Sequence, residues 1–169
     1  MKHHHHAAQT EANLPIDNNN KTSTFIGTDL SDTYVGNNGT DFMYGGDGSD
    51  RLYGGSGKDQ LTGGAGQDFL TGGSGNDTFI YNAASDAGRP ESSDVIMDFH
   101  SGQDKLDLHA FMAGGHFVGS AAFVAGSGPQ VSYNAATGIL TGDVNGDGTS
   151  DFSITLANHS ALLATDFIF

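Results

Sequence analysis

The sequence predicts an all-β chain, in which short parallel strands coil and stack on one another and an antiparallel meander follows. Three observations predict it. A nine-residue period runs from Gly27 to Ile80, with glycines at the bends and one large apolar residue in each period. Apolar and polar residues alternate over Asp104–Leu108, the mark of a strand with one packed and one wet face. Later apolar runs, Val131–Tyr133, Ile139–Val144 and Phe152–Leu156, are separated by glycine-containing turns.

Composition narrows the class of partner. The chain has 169 residues, 20 acidic against 6 Lys and Arg, and a net charge of −14. That charge argues against nucleic acid or an anionic membrane surface. There is no Cys, so disulfides, thiolate zinc sites and Cys nucleophiles are excluded. No apolar run approaches the roughly 18 residues of a membrane span. Of the acidic residues, only Glu11 and Glu91 are Glu. A preference for the short Asp carboxylate on Gly-rich backbone suits turns and hard-cation ligation, where the oxygen must lie close to the main chain.

Residues 1–26 read as a histidine tag, His3–His6, and a polar, largely irregular leader. Residues 27–80 form six nonapeptides that begin at Gly27, Gly36, Gly45, Gly54, Gly63 and Gly72. Position six is always Asp: Asp32, Asp41, Asp50, Asp59, Asp68 and Asp77. Position eight is always large and apolar: Tyr34, Met43, Leu52, Leu61, Leu70 and Phe79. The Gly-rich six residues bend sharply and can point several carbonyls at one spot. The three that follow are too short to stand alone, but they stack into parallel sheets if the chain coils. With two nonapeptides per coil, each Asp lies near the Asp two repeats on. This places Asp32 with Asp50, Asp41 with Asp59, Asp50 with Asp68 and Asp59 with Asp77. Two stacked carboxylates repel, and a divalent cation between them reverses the sign. Ca²⁺ accepts six to eight oxygens in loose geometry, which Mg²⁺ does not.

Residues 81–169 read as a β-rich cap. Ser85–Ser93 is a polar loop, Asp94–Phe99 and Lys105–Leu108 are strands, and 113–128 is the least regular stretch. His100, His109, His116 and His159 lack metalloprotease spacing and thiol partners, and no GxSxG elbow occurs, so no catalytic constellation is expected. Tyr34, Tyr44, Tyr53 and Tyr81 are expected to pack on sheets rather than line a sugar site.

The repeats have the form G-G-x-G-x-D-x-U-x and resemble the calcium-binding repeats of RTX proteins. Gly27–Phe169 as a whole resembles the C-terminal module of serralysin-type secreted metalloproteases. Three segments carry that likeness: Asp94–Leu108, Gly142–Gly148 and the ending Asp166-Phe167-Ile168-Phe169. The first repeat departs, with Thr28 and Leu30 where glycine is expected. The resemblance implies a right-handed parallel β-roll with an antiparallel, β-sandwich-like cap, and a non-catalytic, monomeric module that folds on Ca²⁺ outside the cell. It also implies a C-terminus read by a type I secretion (ABC) transporter. As an uncapped apolar end, those four residues are expected to be dispensable for folding. A rival reading is a carbohydrate-binding module of a polysaccharide-modifying enzyme.

The repeat aspartates are the expected charged ligands. The expected carbonyl donors are Gly36, Asn37 and Gly39 of the second repeat and, in the later repeats, Gly46, Gly48, Gly55, Gly57, Gly64, Gly66, Gly73 and Gly75. Asp94, Asp98, Asp104 and Asp107 could close the last turn, and of these Asp98 and Asp104 are taken as ligands. Asp143-x-Asn145-x-Asp147-Gly148 matches the start of an EF-hand-like loop, with Ile154 at the place of its last Glu. Asp143, Asn145 and Asp147 are therefore either calcium ligands or the Asx residues of a hairpin turn.

Overall fold

A computed structural model describes residues 21–169, so the tag and most of the leader lie outside the described residues. Each nonapeptide supplies one short strand at positions seven to nine. These are β2 (Thr33–Val35), β3 (Asp41–Tyr44, which starts on the Asp itself), β4 (Arg51–Tyr53), β5 (Gln60–Thr62), β6 (Phe69–Thr71) and β7 (Thr78–Ile80). Odd and even strands go to opposite sheets, and each pairs in parallel with the strand 18 residues on: Thr33 with Arg51, Phe42 with Gln60, Arg51 with Phe69. Two nonapeptides therefore make one coil.

The position-eight residues fill the space between the sheets. Met43, Leu52, Leu61, Leu70 and Phe79 are fully buried, and Tyr34 at the open end is nearly so. Each such side chain contributes roughly 1.5–3 kcal/mol of burial. Phe25 stacks on Tyr34 with ring centroids 4.1 Å apart and covers that end.

The leader reading fails at its last residues. Ser23–Ile26 is a strand, β1, paired in parallel with β3 from Ser23↔Asp41 to Ile26↔Tyr44. Thr24-Phe25-Ile26 repeats the x-U-x pattern without a glycine turn before it, and strand pairing needs only the former.

Parallel stacking also runs past Ile80. β8 (Asp94–Ile96) pairs with β6, and β9 (Lys105–Asp107) pairs with β7, at offsets of 26 and 27 residues. The additional residues form single helical turns and loops. α1 (Ala84–Ala87) overlaps the start of the expected polar loop, and α2 (His109–Met112) follows β9. The antiparallel meander is β11 (Gln130–Asn134), β12 (Ile139–Asp143) and β13 (Phe152–Leu156). It is preceded by β10 (His116–Phe117), which pairs in parallel with β11. Because β13 pairs with β8, the meander extends the even sheet of the roll: β10-β11-β12-β13-β8-β6-β4-β2.

The C-terminus is not an uncapped end. β14 (Phe167–Ile168) pairs in parallel with β9 and completes the odd sheet, β1-β3-β5-β7-β9-β14. Asp166 is fully buried and accepts hydrogen bonds from Ser101 Oγ (2.6 Å), Gly102 N–H (2.9 Å) and Leu163 N–H (2.8 Å). The Phe167 ring packs on Phe117 and stacks on Phe169. Removing residues 166–169 is therefore expected to lower the melting temperature by several degrees even at saturating calcium, contrary to the dispensable tail read from sequence. An unchanged melt of the truncated chain would contradict the docked strand.

Candidate metal centre

The repeat aspartates form two ladders, one on each rim of the roll. In the first, the N–H of Asp32 donates to Asp50 Oδ1 (2.8 Å), that of Asp50 to Asp68 (2.9 Å), and that of Asp68 to Asp94 (2.9 Å). In the second, Asp41 donates to Asp59, Asp59 to Asp77, and Asp77 to Asp104, each at 2.9 Å. The structure thus brings together the four pairs read from the repeats and adds one step to each ladder. Asp94 and Asp104 each begin an Asp-x-U triplet, Asp94-Val95-Ile96 and Asp104-Lys105-Leu106. That signal could have identified Asp94 as a ladder residue.

Asp50, Asp59, Asp68, Asp77, Asp94 and Asp104 thus each have one oxygen committed to the preceding coil. In all but Asp104 the other is left over. Oδ2 of Asp50, Asp59, Asp68, Asp77 and Asp94 is buried with no hydrogen-bond partner. Burial is the main cause that raises these groups, backbone hydrogen bonds pull them back, and the neighbouring ladder carboxylate raises them again. The results are about 7 for Asp50, 6 for Asp59, 8 for Asp68, 7 for Asp77 and 9 for Asp94. Charged carboxylates in such a place need a positive charge beside them.

The loops are shaped for close approach. Gly39, Gly46, Gly48, Gly55, Gly57, Gly64, Gly66, Gly73 and Gly75 all have positive φ, which side-chain-bearing residues rarely adopt. A Cβ on Gly57 would strike the carbonyl oxygen of Gly39, and one on Gly75 that of Gly57. Position-four carbonyls therefore face the next coil along the rim. At position two, the carbonyls of Asn37 and Gly55 accept the N–H of Ser56 (2.6 Å) and Ser74 (2.9 Å). A Cβ on position-one glycines, Gly36, Gly45, Gly54, Gly63 and Gly72, would strike Oδ2 of the Asp in the same repeat. An unpartnered carboxylate oxygen inside a cradle of carbonyls, with no side chain in the way, fits a hard cation with many oxygen ligands.

The remaining candidates fall elsewhere. Asp98 accepts the N–H of Gly72 (2.9 Å) and Gly73 (2.8 Å) and so anchors the sixth loop. Asp104 accepts Asp77 N–H on one oxygen and His100 N–H (2.8 Å) on the other. Asp107 faces its neighbour His109 at 3.2 Å. In the late hairpin, Asp143, Asp147 and Asp151 bring carboxylate oxygens within 4.8 Å of one another. Asp143 accepts the N–H of Gly146 (2.9 Å) and Gly148 (2.8 Å), and Asn145 that of Asp147 (3.2 Å), which is the pattern of the Asx-turn alternative. Tyr34 and Tyr81 are buried, while Tyr44 and Tyr53 are partly exposed.

The RTX calcium-binding nonapeptide repeat pattern matches residues 26–61. The pattern described as peptidase M10 serralysin C terminal matches residues 44–169. The chain belongs to that family. This serralysin C-terminal module is 39% identical over 87 residues to the metallopeptidase AprA of Pseudomonas marginalis, covering 50% of the chain and 18% of that protein. It is 39% identical over 100 residues to the metalloprotease AprA of Pseudomonas entomophila strain L48, covering 54% and 20%. The module thus spans about a fifth of the length of the curated relatives it matches. Among solved structures it is similar to the AlgE6R2 subunit of the Azotobacter vinelandii mannuronan C5-epimerase, with a TM-score of 0.62 and 35% identity, covering 86% of this chain and 91% of that one. The AlgE6R3 subunit of that enzyme gives a TM-score of 0.52 at 31% identity, covering 89% and 80%. The module is a calcium-binding, β-roll RTX module, and both family matches are to accessory regions of larger enzymes rather than to a catalytic domain.

Two outcomes follow from this geometry. Asp59 Oδ2 has no donor, whereas Asp32 Oδ2 accepts the N–H of Thr28 at 2.6 Å. Asp59→Asn is expected to raise the calcium midpoint of folding more than Asp32→Asn, by a difference on the order of 1–3 kcal/mol. Titrations that place Asp32→Asn as the worse variant would refute the ladder as the binding unit.

The second outcome concerns pH. Without calcium, the folded values of about 6 to 8 for Asp50, Asp59, Asp68 and Asp77 exceed the ordinary 3.8. The folded state then holds protons that the unfolded state releases. Stability from these groups is present in full below about pH 4 and is lost as pH rises through 6 to 8. In chelator, the folded fraction read by circular dichroism is expected to rise as pH falls from 8 towards 5. A flat or opposite profile would show that the ladder carboxylates are not desolvated in the metal-free fold.

Proposed function

We propose that this module is a calcium-triggered folding and export unit of a larger secreted enzyme. The observation that carries the reading is the set of buried, unpartnered Oδ2 atoms on Asp50, Asp59, Asp68 and Asp77, each lying against the first glycine of its own loop. Those four carboxylates are the charged ligands, and the position-two and position-four carbonyls complete their shells. Bound calcium supplies the positive charge that the stacked carboxylates lack. Where free calcium is scarce, the ladders repel and the Gly-rich chain stays open, which suits passage through a narrow transporter. Outside the cell, binding energy becomes folding energy. The C-terminal residues, Asp166–Phe169, serve as the segment that a type I transporter reads, by likeness to serralysin-type proteins. The relatives' names point to a metalloprotease as the parent, with this module as its terminal part.

The likeness to epimerase subunits favours a second reading, in which the module helps position a polysaccharide. A net charge of −14 opposes binding of an acidic glycan, so any glycan bound here would be neutral.

The test has two arms. Circular dichroism is expected to show β-structure gained on adding Ca²⁺, with no such gain at equal Mg²⁺; identical spectra in chelator and calcium would refute calcium-triggered folding. A passenger fused ahead of the module is expected to leave the cell through a type I exporter, and to stay inside when Asp166–Phe169 is deleted. Equal export of both fusions would remove the secretion part of the reading and leave the folding part standing.

A further inference from the structure

Two ladder ends, Asp32 and Asp104, carry hydrogen-bond donors on Oδ2 that the interior aspartates lack. At Asp32, the N–H of Thr28 donates to Oδ2 at 2.6 Å and Thr28 Oγ1 lies 3.1 Å from Oδ1. At Asp104, the N–H of His100 donates to Oδ2 at 2.8 Å, with the His100 ring Nδ1 at 3.6 Å. Backbone and side-chain donors therefore stand at these two ends in the place that a cation would take inside the ladder.

Asp94 ends the first ladder in a third way. It is fully buried, and its Oδ2 has no hydrogen-bond partner. The loop before it, residues 81–93, is not a Gly-rich turn, and no glycine of that loop lies against Oδ2 as Gly63 lies against Asp68. Besides Asp68, two groups of the preceding segment act on Asp94: the Tyr81 hydroxyl, which favours its charged form, and the Asp86 carboxylate, which opposes it. Tyr81 is 1% exposed, and its hydroxyl is likewise buried without a partner. Two buried, unpartnered polar groups of opposite need thus lie within electrostatic reach of each other. Left apart, each bears the desolvation cost of an unmade hydrogen bond; together, one proton satisfies both.

We propose that the Tyr81 hydroxyl, not a cation, closes the first ladder by hydrogen bonding Asp94 Oδ2, so that calcium occupies the loops of Asp50, Asp59, Asp68 and Asp77 and stops there. Asp94 is then a positioning residue. Its Oδ1 holds the N–H of Asp68 at 2.9 Å and keeps the last calcium loop of that rim in register. Tyr81 holds Asp94 in turn. The inference rests on the calcium reading above and deepens it, because it states where the metal tract ends and what replaces the metal.

The test counts bound ions. Equilibrium dialysis at saturating calcium is expected to give the same count for the native module and for Asp94→Asn, and one ion fewer for Asp68→Asn. Tyr81→Phe is expected to leave the count unchanged and to raise the calcium midpoint of folding severalfold. In the Asp94→Asn background, the same Tyr81→Phe change is expected to add little, since the pair is already broken. One ion fewer in Asp94→Asn, or fully additive midpoint shifts, would overturn the cap and make Asp94 a calcium ligand. If Tyr81→Phe fails to fold, the Asp94→Asn count decides alone. A native module with no bound calcium would overturn the calcium reading itself, and this inference with it.

Discussion

Everything in this molecule hangs on how one coil holds the next. Each ladder Asp after the first uses one oxygen to hold the backbone N–H of the Asp one coil earlier, at 2.8–2.9 Å. This contact sets the 18-residue register, and the register stacks the apolar position-eight side chains into one column. The same contact creates the problem that defines the site. It places a second carboxylate oxygen in a dry setting, beside another carboxylate, with nothing to donate to it. A fold built on such a ladder requires protons or cations to exist. The charge that would destabilise a bare roll is what makes it responsive to calcium.

The glycines follow from the same constraint. Coils this close leave no room for a Cβ between successive loops, as the carbonyl of Gly39 against Gly57 shows. Glycine, however, loses the most backbone freedom on folding, and each ordered residue costs about 1–2 kcal/mol of conformational entropy. The loops bury almost no side chain in return. One apolar residue per nonapeptide is a thin core for so much ordered backbone. In the function proposed above, the metal is therefore part of the folding balance rather than an addition to a finished scaffold. Mg²⁺, which keeps its waters and demands octahedral geometry, is a poor match for loops that offer mostly backbone carbonyls.

The roll was legible in sequence because its period repeats both signals at once. Asp at position six and an apolar residue at position eight fix loop, strand and facing side in every nonapeptide. Legibility ended where only one signal survives. β1 keeps Thr24-Phe25-Ile26 but has no glycine turn, and β8 and β9 keep Asp-x-U at offsets of 26 and 27 rather than 18. A parallel ladder tolerates such insertions, because a longer loop on the rim costs only slowly growing closure entropy. The late hairpin kept its two readings for a different reason: Asp and Asn with glycine serve a turn and a cation loop equally well, and Asp143 is fully engaged with backbone amides. Donors that end the ladders, such as Thr28 and His100, carry no periodic signal and emerged only from geometry.

The position of the last strand ties the end of the chain to the state of the roll. Among the described residues β14 has a single sheet neighbour, β9, and β9 in turn rests on β7, the strand of the sixth repeat. Phe167 and Ile168 therefore have no partner strand until the repeats have stacked. Repeat coils support only their neighbours, so β9 must stack on β7 before this edge exists. Before that, the tail is an extended acidic-apolar segment. Afterwards, Asp166 is buried on Ser101, Gly102 and Leu163, and the Phe167 ring lies between Phe117 and Phe169. A receptor that reads these residues as an extended peptide would meet them only in the chain that has not folded. In the function proposed above, the binding event that closes the roll would then withdraw the tail, and recognition and folding would exclude each other without any added regulatory element.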